Sequence, residues 1–326
     1  MADPTQFPPG HEIAFGPVPS RRLGRSLGID HVPPKTCSYA CTYCQLGPTL
    51  RMQVERRAFA PPAEVAAAVR AKVADLRRRG EAVDALTFVP AGEPTLDANL
   101  GAEIRSLRPL GIPIAVISNA SLIWQAGVRA DLAEADWVSL KVDAVDPRVW
   151  HALDRPHGSL SLDAILDGAR AFARGFGGTL VSETMLVAGV NDAPAHLDAV
   201  AGFLAELAPS TAYLSVPTRP PALHGVRPPD EAKVNGAYQV LAARLPAVEC
   251  LLGYEGNAFS ASGDAETDLL GITAVHPMRE DAVVELLRRS GADRDVVRRL
   301  VDDGRLVATR YGDHTFYVRR PKRMVA

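Results

Sequence analysis

The sequence predicts an α/β protein in which parallel strands alternate with helices. Six short runs of apolar and β-branched residues follow one another along the chain, and helical patterns separate them. Strands joined by crossover helices pair in parallel. The chain has 326 residues, of which 47% are hydrophobic, so it can fill the core of one large domain and a small appendage.

The elements follow in chain order. Residues 1–20 are rich in Pro and Gly and are expected to form a lead-in, and the main domain is expected over 21–260. The first predicted helix, 62–79, places apolar residues at helical spacing and stops at Gly80. The other predicted helices are 97–107, 122–133, 160–172 and 195–207. The predicted strands are 26–32, 85–89, 112–118, 137–142, 179–187 and 212–216, with a seventh candidate at 247–252.

The pattern changes beyond Gly271. Two short amphipathic helices, 279–289 and 293–303, precede two strand-like runs around a Gly-Asp-His turn. Two helices and a hairpin predict a small winged-helix-like domain over 272–326. From Pro277 onward this part holds twelve Lys and Arg against eight Asp and Glu. Contact with nucleic acid is one interpretation, and a protein-contact or capping role is the other.

Composition excludes some classes of protein. The formal net charge is −2, no apolar run is long enough to span a bilayer, and the first ten residues lack the features of a signal peptide. We therefore expect a cytoplasmic protein with no membrane partner. Clustered cysteines in such a chain indicate metal ligands rather than disulfides.

The most informative stretch is a CxxxCxxC motif formed by Cys37, Cys41 and Cys44. It holds three of the four cysteines of the chain and directly follows the first predicted strand. Soft thiolates select iron–sulfur clusters, zinc or copper. A closed site needs four ligands, so three cysteines leave one coordination position open for chemistry. The alternative is a structural zinc turn completed by Cys250 or a histidine.

The motif, with Tyr43 before its last cysteine, resembles the radical S-adenosylmethionine (SAM) superfamily. Segments 19–30, 35–37, 92–96, 155–158 and 189–192 are similar to its wyosine-synthetase-like branch, which is related to tRNA-imidazoG37 synthetase. The resemblance implies a partial (β/α)6 TIM-type barrel, in agreement with the six strand–helix units. It also implies a [4Fe–4S] cluster on the three cysteines and SAM on its fourth iron. An electron from an external flavodoxin- or ferredoxin-like donor would then cleave SAM to a 5′-deoxyadenosyl radical, which abstracts hydrogen from substrate.

The resemblance also implies which residues bind SAM. Gly92 and Glu93 match the family's GGE-type motif for the SAM amino group, although Ala91 replaces its first glycine. A carboxylate suits an ammonium partner, and the alternative is a helix-start carboxylate before Pro94. Further candidates end the third predicted strand, at Ser118 and Asn119, and the fourth, at Lys141 and Asp143. Asp143 is the candidate for the ribose hydroxyls. The alternatives are a turn role for Asn119 and an ion pair at the barrel rim for Lys141 and Asp143.

Two more candidates share one face of the fifth predicted strand, Glu183 and Met185. A carboxylate inside an apolar strand must be paired or functional. Met185 would pack against adenine or simply fill the core. For substrate, the candidates are Arg25, His157 and Arg219, because Arg recognises anionic groups, although Arg is also the usual surface cation of this chain.

We therefore predict a radical SAM enzyme with an unidentified substrate. The wyosine-synthetase-like resemblance suggests RNA, and a small metabolite or a peptide fits equally. Wyosine synthetases carry a second cluster with its own cysteines, and only Cys250 remains here, so their two-cluster mechanism does not transfer. Two alternatives are an iron–sulfur nucleic-acid-binding regulator without SAM turnover and a zinc-stabilised scaffold.

Overall fold

The computed structural model describes residues 7–8, 11–253, 256–257 and 259–320. Most of this chain belongs to one curved sheet with helices packed on its outer face. Within the described residues the strands are β1 (Ala14–Ser20), β2 (Gly24–Ile29), β3 (Thr36–Cys37), β4 (Arg51–Met52), β5 (Ala85–Phe88), β6 (Ile114–Ser118), β7 (Trp137–Lys141), β8 (Thr179–Met185), β9 (Thr211–Ser215), β10 (Val248–Leu251), β11 (Met278–Arg279), β12 (Leu306–Tyr311) and β13 (His314–Arg319).

The large sheet has eight strands in the order β1-β2-β5-β6-β7-β8-β9-β10. The strands from β2 to β10 pair in parallel, and β1 is antiparallel to β2. The sheet curls into a half-barrel. The edge strands are β1, which Arg21 follows, and β10, which Gly253 follows. The Arg21 guanidinium donates a hydrogen bond to the Gly253 carbonyl oxygen, so the two edges come close together. The carboxyl ends of the parallel strands therefore meet at one rim, where β/α barrels carry their sites.

Helices cover the outer face of this sheet and bury its apolar side chains. They are α1 (Pro62–Arg78), α2 (Leu100–Leu107), α3 (Ala126–Leu132), α4 (Pro147–Leu153), α5 (Leu162–Gly175), α6 (Pro194–Leu207) and α7 (Glu231–Ala242), with 3-10 turns at Pro94–Leu96 and Arg108–Leu110. Three further helices, α8 (Ala265–Val275), α9 (Glu280–Ser290) and α10 (Asp295–Asp302), belong to the C-terminal part of the chain. Several begin at a side-chain cap, such as Asp146 for α4 and Ser161 for α5. None of the helices in the described ranges is both long and apolar enough to cross a membrane.

The α/β fold with parallel strands is confirmed, and all seven predicted barrel strands are present with ends that differ by up to three residues. Several elements were not predicted: the short strands β3, β4 and β11, the helix α8, the two 3-10 turns, and also β1, α4 and α7. β1 lies inside the expected lead-in, because Pro17 and Pro19 disguise it and an edge strand tolerates proline. α4 has only seven residues, and α7 follows a proline-rich stretch, so neither gave a clear helical pattern.

The C-terminal elements form a unit with a core of its own. α8, α9 and α10 pack with a three-stranded antiparallel sheet of order β11-β13-β12. Phe259, Leu269, Met278 and Leu286 are among the buried residues of this core, and Val18 of β1 packs against it. The unit includes α8, which begins at Ala265 after its Asp264 cap, rather than starting at residue 272. It rests on the β1 edge of the half-barrel.

Candidate active site

The three motif cysteines lie on one loop at the rim of the half-barrel. The loop leaves β2, passes through β3, and is closed by the pairing of β3 with β4. Tight turns shape it, because the Cys44 amide donates to the Cys41 carbonyl and the Gly47 amide to the Cys44 carbonyl, each at 3.1 Å. All three thiols are free and half-buried. Burial, with the nearby Glu93 carboxylate, raises the pKa of Cys37 to about 12, so a metal must displace its proton.

The turn at Gly92 and Glu93 packs directly against this loop. A Cβ atom on Gly92 would lie 2.1 Å from the Thr36 carbonyl oxygen, so only glycine fits there. The buried Glu93 carboxylate accepts hydrogen bonds from the Ser118 hydroxyl at 2.7 Å and the Asn119 amide at 2.8 Å. The Asn119 side chain in turn donates to the Cys37 sulfur at 3.5 Å. The ends of β5 and β6 are thereby joined to the cysteine loop.

A second group of buried side chains surrounds Tyr43. Its hydroxyl donates to Asp143 and, at 3.1 Å, to Asp154. The Cys41 thiol also donates to Asp154, at 3.4 Å. Burial and the neighbouring Asp143 carboxylate raise the pKa of Asp154 well above its usual value. Asp143 also accepts from the Met185 backbone amide at 2.6 Å. Cys41 is therefore linked to the ends of β7 and β8.

Inside the half-barrel, Glu183 is held by three donors. Lys141 donates to it at 3.0 Å, Arg22 at 2.6 Å and the Ser215 hydroxyl at 3.1 Å. Burial alone would raise the pKa of Glu183, but Lys141 and Arg22 outweigh it and hold the pKa below its usual range. The Lys141 ammonium also lies 5.0 Å from the centre of the Tyr43 ring. Glu183 is thus an ionised carboxylate that fixes Lys141 beside Tyr43.

Arg219 reaches the other side of the cysteine loop. It donates to Gln45, which follows Cys44, at 2.6 Å, and its second nitrogen lies 3.0 Å from His276 Nε2. Burial and the Arg219 charge lower the pKa of His276 well below its usual value, so this imidazole is neutral. His276 directly follows α8, so the C-terminal unit touches the candidate site through Arg219.

The structure places two predicted substrate residues differently. Arg25 lies at the start of β2, the rim opposite the cysteine loop, and pairs there with Asp84 at 2.8 Å. The His157 ring lies 2.9 Å from the Ser159 hydroxyl, although its backbone amide does bind the Ser38 carbonyl. Cys250 is on β10 and packs with the main core. The chain carries a basic run over 319–323, of which Arg319 and Arg320 are described, while Lys322 and Arg323 lie outside the described residues.

An open cavity of about 510 Å³ adjoins the cysteine loop. It is lined by Ala40 and Thr49 of the loop and by Arg155 and Leu223 from other segments. The backbone amide of Leu223 donates to the Thr42 carbonyl at 3.0 Å, so the segment after β9 is anchored on the loop. The cavity thus lies beside the cysteine loop, although none of the three cysteines lines it.

These residues fit an iron–sulfur cluster and SAM. Three soft thiols on one loop provide the donor set for iron, and the donor set lacks a fourth cysteine, since Cys250 packs elsewhere. Gly92 has no side chain, so its turn packs directly against the cysteine loop. The ion pair of Lys141 and Glu183 lies in the adjoining interior of the half-barrel. The site therefore offers thiolates for a cluster and polar side chains for a zwitterionic ligand beside it.

Comparison with known proteins identifies the class. The family model described as the radical SAM superfamily matches residues 32–200, more than half of the chain and all three motif cysteines. The chain belongs to the radical SAM superfamily, whose members are enzymes that use SAM and a [4Fe–4S] cluster. The predicted superfamily and the prediction of an enzyme are thereby confirmed.

Among individual relatives, a UPF0026 protein of Methanocaldococcus jannaschii is 43% identical over 315 residues, covering 95% of this chain and 97% of that protein. A UPF0026 protein of Helicobacter pylori is 36% identical over 211 residues, covering 64% of this chain and 67% of that protein. Similar solved structures include a radical SAM methyltransferase from Sphaerobacter thermophilus, with a TM-score of 0.52, 21% identity, and coverage of 72% of this chain and 68% of that one.

A structure of TYW1 with a lysine–pyruvate adduct is also similar, with a TM-score of 0.53, 15% identity, and coverage of 68% of this chain and 74% of that one. At such identities these two likenesses establish the fold alone. They agree with a partial barrel of the TIM type.

Sequence reasoning missed several residues of this site. Asp154 contacts Cys41 and Tyr43. Gln45 and His276 both contact Arg219. Asp154 directly precedes the Arg155 of the 155–158 segment, so its position beside that segment was the available signal. His276 gave no signal, because its contact depends on how the C-terminal unit docks.

Proposed function

We propose that Cys37, Cys41 and Cys44 bind a [4Fe–4S] cluster and that the adjoining side chains hold SAM beside it. When bound, the cluster supplies the electron that cleaves SAM to methionine and a 5′-deoxyadenosyl radical, which takes a hydrogen atom from substrate. The observation that carries the proposal is the continuous chain of hydrogen bonds from Cys37 and Cys41 to the ends of four parallel strands.

The residues of the barrel would divide the work of binding SAM. Glu93 lies next to Cys37 and suits the SAM ammonium group, with Ser118 and Asn119 fixing its carboxylate. Asp143 suits the ribose hydroxyls, since a carboxylate accepts two hydrogen bonds. Lys141, which Glu183 holds in place, suits the SAM carboxylate, and Met185 offers an apolar surface for adenine.

The test is anaerobic reconstitution with iron and sulfide, followed by reduction in the presence of SAM and chromatography for 5′-deoxyadenosine. The wild-type protein should form 5′-deoxyadenosine only when reduced, and Cys41→Ala should form none. Cluster-loaded, reduced protein that leaves SAM intact with every reductant and cell fraction would instead favour an iron–sulfur regulator. A protein that holds only zinc on four side chains would exclude both.

Reduction requires an external one-electron donor, and we propose a flavodoxin- or ferredoxin-like protein. The half-burial of the cysteine loop supports this, because an electron carrier can approach the loop from solvent. We also propose a cytoplasmic location, since that compartment keeps thiols reduced. Reduction by purified flavodoxin, compared with dithionite, measures whether such a donor suffices.

For the substrate we propose RNA. The exposed Arg155 and His151 line the cavity beside the cysteine loop, and a cation there suits phosphate groups. The C-terminal unit contributes less, because Arg288 pairs with Glu285, and Arg299 and Arg305 pair with Glu266. Deuterated cellular fractions incubated with the reduced enzyme and unlabelled SAM test this, because the abstracted deuterium would appear in 5′-deoxyadenosine. Deuterium that is transferred only from small-metabolite or peptide fractions would contradict RNA.

For the C-terminal unit we propose a winged-helix-like module that starts near Ala265. The order helix, strand, two helices and hairpin, with a three-stranded sheet, supports this. Since Arg219 joins His276 to Gln45, we propose that the module braces the cysteine loop. Removing residues 265–326 would then lower cluster retention, measured as iron per chain.

A further inference from the structure

A buried group of three ionisable side chains lies behind the rim, outside the candidate SAM site. His31 follows β2, Asp97 ends the 3-10 turn after Glu93, and Glu103 is in the first turn of α2. His31 Nδ1 is 2.6 Å from Glu103 Oε2 and 3.7 Å from Asp97 Oδ2. One ligand atom from each residue lies within 4.8 Å of the other two.

Two of these carboxylate oxygens lack partners. Glu103 Oε1 and Asp97 Oδ2 are fully buried and have no hydrogen-bond partner among the described residues. The side chains of all three residues have no exposed surface. Buried polar atoms are almost always paired, because an unpaired one costs about 1–3 kcal/mol. The two orphaned oxygens belong to the carboxylates on either side of one imidazole, whose Nε2 also has no hydrogen-bond partner among the described residues, and they require an explanation.

The geometry points to a structural site for one divalent transition-metal ion, of the zinc or manganese type, on His31, Asp97 and Glu103. The donor atoms would be His31 Nδ1, Asp97 Oδ2 and both Glu103 oxygens, and the ion would replace the proton of the hydrogen bond that joins Nδ1 to Glu103 Oε2. Imidazole and carboxylate suit such ions. A dication with a neutral imidazole and two carboxylates has no net charge, which a fully buried site requires because a buried net charge is costly.

The site would fasten the two segments that carry the candidate active site. His31 is four residues before Lys35, where the cysteine loop begins to close, and Asp97 terminates the turn capped by Glu93. Asp97 is also fixed by two other hydrogen bonds. Its side-chain Oδ1 accepts from the Asn99 backbone amide at 2.7 Å, and its backbone carbonyl accepts from the Arg56 guanidinium at 2.8 Å. A metal there would bind β2, the Glu93 turn and α2 into one rigid base.

The competing arrangement is an imidazolium ion pair without metal. His31 would then be protonated beside Glu103, and one carboxyl group would have to hold a proton for neutrality. Burial does raise the pKa of Asp97, to about 7. Asp30 is the further charged group near the ring, and its own Oδ2 has no hydrogen-bond partner among the described residues. The two arrangements differ in metal content, which can be measured directly.

The experiment uses the untagged full-length chain with Cys37, Cys41 and Cys44 changed to serine, so that cluster iron cannot confuse the count. The protein is unfolded with chelator and refolded with Zn²⁺, with Mn²⁺ or without metal, because a fully buried site fills during folding. After gel filtration, mass spectrometry should find about one metal per chain. Glu103→Gln in the same background should lose most of it. Asp268→Asn, which changes a buried carboxylate of α8, should keep it.

Thermal unfolding provides the second measurement. An ion that binds only the folded chain raises the melting temperature of that chain. Metal-refolded protein should therefore melt at a higher temperature than metal-free protein, and Glu103→Gln should abolish the difference. Should Glu103→Gln fail to fold, the comparison of the metal-refolded and metal-free parent still decides. Equal melting temperatures and no bound metal in the parent would overturn the inference and leave the imidazolium pair. Because the cluster ligands are absent, this result is independent of whether the proposed SAM chemistry is correct.

Discussion

Pairing explains how this barrel carries so many charges near its interior. Glu183 has three donors, and its partner Lys141 also lies near Asp143, at 3.8 Å. A buried ion that loses its partner costs several kcal/mol, so these residues depend on one another. The same side chains lie beside the cysteine loop, which makes individual substitutions informative.

Cys41→Ala should abolish cluster loading while leaving the half-barrel folded. The thiol is one of three proposed ligands, and three thiolates are needed to hold the cluster. Iron per chain after anaerobic reconstitution is the measurement, with circular dichroism as the check on folding. Cys250→Ala is the matched control, and it should retain full iron because Cys250 packs in the core. Unchanged iron in Cys41→Ala would refute the ligand assignment.

Gly92→Ala should damage the site by displacing the turn from the cysteine loop. The added Cβ would lie 2.1 Å from the Thr36 carbonyl, so the backbone must move, at about 1–3 kcal/mol of folding free energy. SAM affinity should fall with it, because Glu93 moves too. Gly158→Ala adds a Cβ that meets nothing within 4 Å, and it should leave urea unfolding and SAM binding unchanged. Equal behaviour of the two variants would contradict this account.

Among the elements, β1 contacts both the parallel sheet and the C-terminal unit. It adds an antiparallel edge to the parallel sheet, and its Val18 contacts the core of the C-terminal unit. Phe15 pairs with Gly28 of β2, and its ring occupies the space where a Gly28 side chain would be. The edge strand is thus locked by one large side chain over one glycine.

Phe15→Ala should therefore destabilise the fold by about 3–5 kcal/mol, since it removes a buried aromatic ring and leaves a cavity. The midpoint of urea unfolding measures the change. Leu50→Ala is the control, because that side chain is 66% exposed and the loss should stay within about 0.5 kcal/mol. A similar midpoint for Phe15→Ala and the parent would show that β1 is dispensable.

Across the whole molecule, the C-terminal unit contacts the half-barrel beside the candidate site as well as at β1. His276 meets Arg219, and the Tyr311 hydroxyl donates to the Pro217 carbonyl at 3.1 Å. Both contacts fall on the segment after β9, beside the cysteine loop. The unit is therefore coupled to the candidate site through one loop, and the state of His276 should influence that coupling.

Acidification should destabilise the protein partly through His276. Its pKa is lowered by burial and by Arg219, so the folded chain keeps it neutral while the unfolded chain protonates it near pH 6.5. Its contribution is complete above that pH and declines as the pH falls, by about 1.4 kcal/mol at pH 5.5. His276→Gln should remove this part of the pH dependence of unfolding free energy, and the exposed His224→Gln should not. Parallel curves for His276→Gln and the parent would contradict the assignment.

The fold was largely predictable because local patterns dictate it. β-branched runs such as β6 and amphipathic helices such as α1 bury one side whatever their neighbours are, so spacing alone identified them. β1 escaped because its prolines are tolerated only at an edge, and whether a strand lies at an edge is a property of the assembled sheet. The short α4 escaped because seven residues give too little periodicity.

The amino-acid sequence alone determined the chemistry of the site. The three thiols lie close together in the sequence, so their meeting on one loop does not depend on the rest of the fold. The carboxyl ends of parallel strands lie at one rim, and these ends carry Glu93, Ser118, Asn119, Lys141 and Asp143. Only the tertiary structure decided which charges meet: that Glu183 joins Lys141 to Arg22, that Arg219 bridges Gln45 to His276, and that His31 faces Asp97 and Glu103. Such contacts join residues distant in the chain, and their distances follow from packing, on which sequence spacing carries no information.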